Sequence, residues 1–186
     1  MDCCDATFLS LLFHDKCPTP DGVDGKPVQA AKERVQYLVK RLNKEKAVIV
    51  IPTPALSELL TIVETKVIPT ILKELEKSTR FRIESFDTKA AVEAALLTRD
   101  AIAEGKAKKD SLQSNWSKIK FDRQIVAIAK ASGCDTLYSD DSDMEIHCKR
   151  AKLELVRTAD LPVPPEAIPP PLIAEIERVK AAEKNS

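Results

Sequence analysis

The sequence predicts an α/β fold of three layers, with a central, mostly parallel β-sheet flanked by helices. Three observations carry this. Short apolar runs that suit strands alternate with longer amphipathic runs that suit helices, roughly in the order βαβααβαβαβ. One run, Ala47 to Ile51 (AVIVI), is apolar throughout, as a strand covered on both faces is, and such strands belong to parallel sheets. The hydrophobic fraction of 44% is ample for a core, and with aromatics at only 4% that core must be built of Leu, Ile, Val and Ala.

Each element follows from local pattern. The opening MDCC is a short strand, and Ala6 to Phe13 (ATFLSLLF) is an apolar run that suits a buried helix or turn. Residues 14–26 are rich in Pro, Asp and Gly and read as a loop. Pro27 to Lys46 is amphipathic, with Val28, Ala31, Val35, Leu38, Val39 and Leu42 at three- and four-residue intervals, and Pro27 suits a first helical turn. After the strand at Ala47 to Ile51, Ala55 to Val63 is the next helix, with Glu58 in its first turn. Thr65 to Ser78 continues as helix, broken or kinked at Pro69, which removes a helix hydrogen bond. Phe81 to Phe86 alternates as an edge or third strand, and Asp87 and Thr88 cap the helix Lys89 to Ala103. The polar stretch 104–118 reads as an insertion. Asp122 opens a helix from Phe121 to Ser132, which Gly133 stops. Asp135 to Ser139 is a strand, Ser142 to Glu145 fits a capping box for a helix ending near Ala151, and Lys152 to Val156 is a last strand. Composition then divides the chain into a domain over 1–158 and, over 159–186, a proline-rich extended linker with a short C-terminal helix.

Composition also excludes several functions. Lys+Arg and Asp+Glu are both 29, so the formal net charge is zero and the chain is not a bulk basic binder of nucleic acid; a polyanion must be met by a local patch or through metal ions. Four glycines supply no glycine-rich phosphate loop, which argues against P-loop or Rossmann nucleotide binding. The five cysteines form no CxxC, and free thiols in a reducing compartment are expected. His14 and Cys17 are spaced like ligands but lack the second pair that a structural zinc site needs. No apolar run approaches the roughly 20 residues of a membrane span, and MDCCD opens no signal peptide, so a soluble, cytoplasmic protein is expected.

In a parallel α/β sheet, ligands sit at the C-terminal ends of the strands. Asp5 follows the first strand, Glu58 lies in the helix after the second, and Asp141 and Asp143 follow the fourth. Asp122, with Ile125 and Ala129 on its side of the helix, leans toward the core, where a carboxylate is costly unless something neutralises it. Converging carboxylates repel unless cations lie between them, and hard oxygen donors select Mg2+ or Mn2+. Such ions activate water and stabilise displacement at phosphorus, so phosphodiester hydrolysis is the reaction this donor set suits. Each acid has a plainer reading beside this one. Asp5 and Asp122 suit helix caps, Glu58 suits a first-turn acid, and Asp140 suits a turn.

The residues also carry a resemblance. Asp5-Ala6-Thr7 after a strand, Glu58 in PALSELL, Asp122 in FDRQIVAIAKASG and Ser139 to Asp143 (SDDSD) after a strand resemble the four acidic motifs of the PIN domain family, over about Met1 to Val156. The resemblance implies a metal-dependent endoribonuclease fold in which Asp5, Glu58, Asp122 and Asp141 are the catalytic, metal-holding acids. Asp143 would be an accessory metal acid, and Thr7 and Ser139 would support them by hydrogen bonds. It further implies an RNA substrate and, for a toxin of a toxin–antitoxin pair, an antitoxin partner; a homodimer is a further candidate assembly, and no membrane is involved. A catalytically idle PIN-like scaffold that binds RNA or protein is the alternative. Lys108, Lys109 and Arg123 are the candidate RNA contacts. Met144 stands where the family often carries an aromatic, and the lysine-bearing insertion and the proline-rich tail lie outside the minimal pattern.

Overall fold

The computed structural model describes residues 1–105 and 116–167. Lys108 and Lys109, much of the proline-rich stretch and the helix expected after it lie outside the described residues.

Five short strands form one sheet: β1 (Asp2–Cys4), β2 (Ile49–Pro52), β3 (Phe81–Glu84), β4 (Thr136–Tyr138) and β5 (Glu154–Val156). Their order is β3-β2-β1-β4-β5 and all four pairings are parallel. The central strand β1 pairs Cys3 with Val50 on one side and with Leu137 on the other. Cys3, Ile49, Val50, Ile51 and Leu137 are fully buried, which is why these runs carry no polar alternation. β3 stands at the sheet edge, and the exposure of its two middle residues, Arg82 and Ile83, fits that place, although the burial along the strand does not alternate as expected.

Seven α-helices are described: α1 (Ala6–Phe13), α2 (Ala31–Lys44), α3 (Thr53–Ile62), α4 (Ile68–Lys77), α5 (Thr88–Ala103), α6 (Trp116–Ala131) and α7 (Met144–Ala151). They cover the sheet in a three-layer arrangement, with α1 against α2 and α3, α6 against α5 and α7, and α3 against α6. The expected α/β fold is therefore present, with a sheet that is wholly parallel.

Local differences have physical causes. α2 begins at Ala31, because Ala30 turns left-handed (φ 54°) and Pro27 instead forms an antiparallel bridge with Asp21. Pro69 does not break a helix interior; a 3-10 turn (Thr65–Val67) precedes it and it sits in the first turn of α4, where its missing N–H costs nothing. The expected capping box at Ser142 to Glu145 does not form, since Asp143 is the residue before α7 but makes no side-chain cap bond. Gly133 (φ 72°) ends α6 as expected, in a left-handed turn that a side chain would strain. The packed body runs on past residue 158. Leu161 is buried in the core, and the Arg34 guanidinium donates to the carbonyls of Ala159 and Leu161. Pro165–Ala167 is a 3-10 turn rather than extended chain. All five cysteines are free thiols. Among the described residues no helix is long and apolar enough to cross a membrane.

Candidate active site: an acid group with a built-in cation

The parallel order of β1 and β4 brings their C-terminal ends side by side, and two loops meet there. The Asp5 N–H donates to the Tyr138 carbonyl at 3.1 Å, which fixes Asp5 beside Ser139. Asp5 caps α1. Its Oδ1 accepts from the Thr7 N–H (2.9 Å), the Thr7 hydroxyl (2.7 Å) and the Phe8 N–H (3.1 Å). Its Oδ2 accepts from the Ser139 hydroxyl, and that same Ser139 Oγ accepts the Asp141 N–H at 3.1 Å. The plain capping role and the supporting roles of Thr7 and Ser139 thus coexist at one carboxylate, which is 3% exposed. Burial pushes the Asp5 carboxyl up to about 6, against the pull of the Ser139, Thr7 and Phe8 hydrogen bonds.

The second half of the group comes from two helices, α3 and α6, and from the loop between β4 and α7. α6 already includes Trp116, so Asp122 does not open it; the acid lies well inside the helix and is 5% exposed. The reason is Ile119, which is buried in the turn before Asp122 and continues the inward face of α6 upstream of Phe121. Burial first, and then the Asp141 charge, push the Asp122 carboxyl up to about 7; Lys118 opposes them, while Asp143 and Glu58 add to them. Glu58 is in the second turn of α3, not the first, because that helix begins at Thr53. Its side chain reaches solvent, yet crowding by the protein and the Asp141 charge still raise its carboxyl above the usual range, against the pull of Lys118. Glu58, Asp122, Asp141 and Asp143 therefore share one electrostatic neighbourhood, to which Ser139 couples Asp5.

Lys118 stands inside this neighbourhood. Its Nζ lies 2.8 Å from Asp141 Oδ2 and 2.7 Å from Asp143 Oδ2. The two carboxylates are held together a second way, by the Asp143 N–H donating to Asp141 Oδ1 at 2.9 Å. Sequence reasoning missed this lysine. The signal was its position four residues before Asp122, which places both on one helical face once the helix is known to extend that far.

The remaining candidates fall differently. Arg123 is 3% exposed and has no outward surface to offer a phosphate. Asp140 is more than a turn residue. It accepts from the Thr158 N–H (2.8 Å) and hydroxyl (2.6 Å), tying the chain after β5 to the site loop, and its own N–H donates to Thr7 Oγ1 at 3.2 Å. Thr158 is a further residue the sequence did not single out. Beside Asp141 opens a cleft of about 490 Å³, walled by Thr7, Cys17, Pro20, Ile62 and Asp140.

The donor chemistry fits a hard divalent cation. All five acids offer oxygen, and Asp122 Oδ2 is buried without a hydrogen-bond partner among the described residues, a costly state that a cation would relieve. The acids are not gathered on one point, however: among the described residues no three His, Cys, Asp or Glu side chains are close enough to hold an ion together. Asp141 and Asp143 turn to Lys118 instead.

No protein-family model matches the chain, and a search of curated proteins finds no match either. Solved structures do match. A structure described as VapBC2 from Rickettsia felis bound to a DNA fragment from their promoter aligns at a TM-score of 0.53 and 16% identity, over 84% of this chain and 97% of that one. A DNA-bound VapBC from Salmonella typhimurium aligns at 0.51 and 11% identity, with the same coverage. At these identities the likeness is one of fold, and that fold is PIN-like.

Proposed function

We propose that this PIN-like chain is a metal-dependent endoribonuclease, hydrolysing RNA phosphodiester bonds at the acid group on the C-terminal edge of its sheet. The observation that carries the reading is Asp122. It is a buried carboxylate with an unpartnered oxygen, facing the charges of Glu58, Asp141 and Asp143 where a parallel sheet binds its ligands. Structural acids are rarely left so, whereas acids that hold a cation are.

Asp122, Glu58 and Asp141 would hold Mg2+ or Mn2+, with Asp143 accessory and Asp5 reached through Ser139. When bound, the ion supplies positive charge to the developing phosphorane and lowers the pKa of water. The chain's own residues do the rest. Ser139 and Thr7 fix the Asp5 carboxylate in one orientation, and the Asp141 N–H fixes Ser139 in turn. Asp5 Oδ1 is fully used by three donors, so only Oδ2 has a lone pair to spare. The cleft beside Asp141 has room for the nucleotide next to the scissile phosphate. The role of toxin in a toxin–antitoxin pair, with an antitoxin partner, is the narrower part of the proposal and draws on the fold shared with the two VapBC structures.

The test is cleavage of an end-labelled RNA pool in Mn2+. Cleavage should vanish with chelator and fall by about 100-fold or more in Asp122→Asn and Glu58→Gln. Chelator-resistant cleavage, or none in any divalent metal, refutes the proposal. One observation favours a second reading, a catalytically idle scaffold that binds RNA or protein: Lys118 already neutralises two of the acids. RNA binding that survives in chelator, without cleavage, would select it.

A further inference from the structure

We propose that Lys118 is a permanent cation of the acid group, filling a position that a second divalent ion would otherwise take, so that the chain holds one ion and not two. The inference rests on the metal-dependent reading above.

It starts from how the carboxylate oxygens are spent. Asp141 Oδ1 receives the Asp143 N–H, and Asp141 Oδ2 and Asp143 Oδ2 both receive the Lys118 ammonium. A two-ion centre needs carboxylates that bridge the ions or serve each separately, with ions about 4 Å apart. The two carboxylates best placed to be shared are those that Lys118 clasps. Asp122 Oδ2 is the opposite case, since it is buried and spends nothing. Glu58 stands near it with no ion pair of its own among the described residues. The group is therefore divided. The Asp122–Glu58 side is open to an added cation, with the unshared lone pairs of Asp141 at its border, and the Asp141–Asp143 side is already served.

The lysine is held there by its backbone. It sits one helical turn before Asp122, and Ile119 beside it is buried, so α6 cannot rotate to withdraw it without exposing core. A surface lysine pairing with one acid would be worth little and would leave freely. This one bridges two acids at hydrogen-bond distance from a half-buried position. A fixed ammonium also has a chemical use: it can neutralise charge on a phosphate oxygen with no ion to recruit.

The experiment counts ions. The purified, metal-free protein is titrated with Mn2+, and free Mn2+ is read by its electron paramagnetic resonance signal, alongside the Mn2+-induced shift in melting temperature. The wild type should bind one ion. Lys118→Met should bind two, with the first site tightened by on the order of tenfold because a like charge has gone and two carboxylates are released. Lys118→Arg, which keeps the charge, should bind one. Circular dichroism melts of the metal-free variants identify any that have not folded, and the arginine variant then carries the test through the distances of its own ion pairs in a crystal structure. Two ions on the wild type, or the same count and affinity in Lys118→Met, overturns the inference and leaves the metal-dependent reading standing. Binding of no Mn2+ by any variant overturns both.

Discussion

Asp122→Asn should stabilise the metal-free protein while abolishing its activity, and the size of the gain can be worked from the site. The folded chain raises this carboxyl from 3.8 to about 7. At about 1.4 kcal/mol per unit that is a ceiling of about 4 kcal/mol against the ionised form. Because the folded value is raised, the stability linked to this group is fully present below pH 3.8 and is lost as the pH rises through 7. Asparagine keeps the shape and never ionises, so the variant should match the wild type near pH 4 and pull ahead by about 2–4 kcal/mol at pH 8. In a chain of this size that is a rise of about 6–12 °C in melting temperature. The assay is thermal unfolding in chelator at several pH values, and saturating Mn2+ should narrow the gap by stabilising the wild type. A variant no more stable than wild type at pH 8, or an advantage as large at pH 4 as at pH 8, refutes the view of Asp122 as a strained, uncompensated acid.

Two further outcomes separate role from structure. Asp5→Asn should keep the cap on α1, since asparagine caps as well as aspartate, and lose RNA cleavage, with stability nearly unchanged near pH 4, where the raised Asp5 carboxyl of the folded wild type is neutral as well; Asp5→Ala should lose the cap too, costing about 1–2 kcal/mol in urea unfolding. Asp140→Ala releases both Thr158 bonds and should cost about 1.5–3 kcal/mol while leaving the count of bound Mn2+ unchanged.

The frame of the fold was legible because buried parallel strands advertise themselves. AVIVI marks β2, although the strand itself begins at Ile49, and the other four strands lie within the short runs read for them, of which those of β3 and β5 are partly exposed. Asp5 and Ser139 were legible as edge residues for the same reason. What was not legible was longer in range. Asp122 looked like a helix cap because Asp favours that position, and only the burial of Ile119, a tertiary fact, shows the helix continuing upstream. That single boundary concealed Lys118, and with it the counter-charge of Asp141 and Asp143. Ser142 to Glu145 has the composition of a capping box, yet Asp143 is drawn to the lysine and Asp143 N–H to Asp141. The arginine beside Asp122 read as a surface charge; helical phase turns it inward. Thr158 had no sequence signal, because its hydrogen bonds depend on where β5 delivers the chain.

The central strand has a consequence for how the molecule comes into being. β1 is paired on one side with Ile49 and Val50 but on the other with Thr136 to Tyr138, more than a hundred residues along. A nascent chain can zip β1, β2 and β3 early, yet that half-sheet keeps one open edge until β4 has been made. Contacts of such range fold slowly, and an unpaired apolar edge invites association in the meantime. Asp5 gains its Ser139 hydrogen bond at the same closing step. Assembly of the acid group is thus tied to the step that joins β4 to β1, and a chain that has not yet made or docked β4 would hold its acids apart.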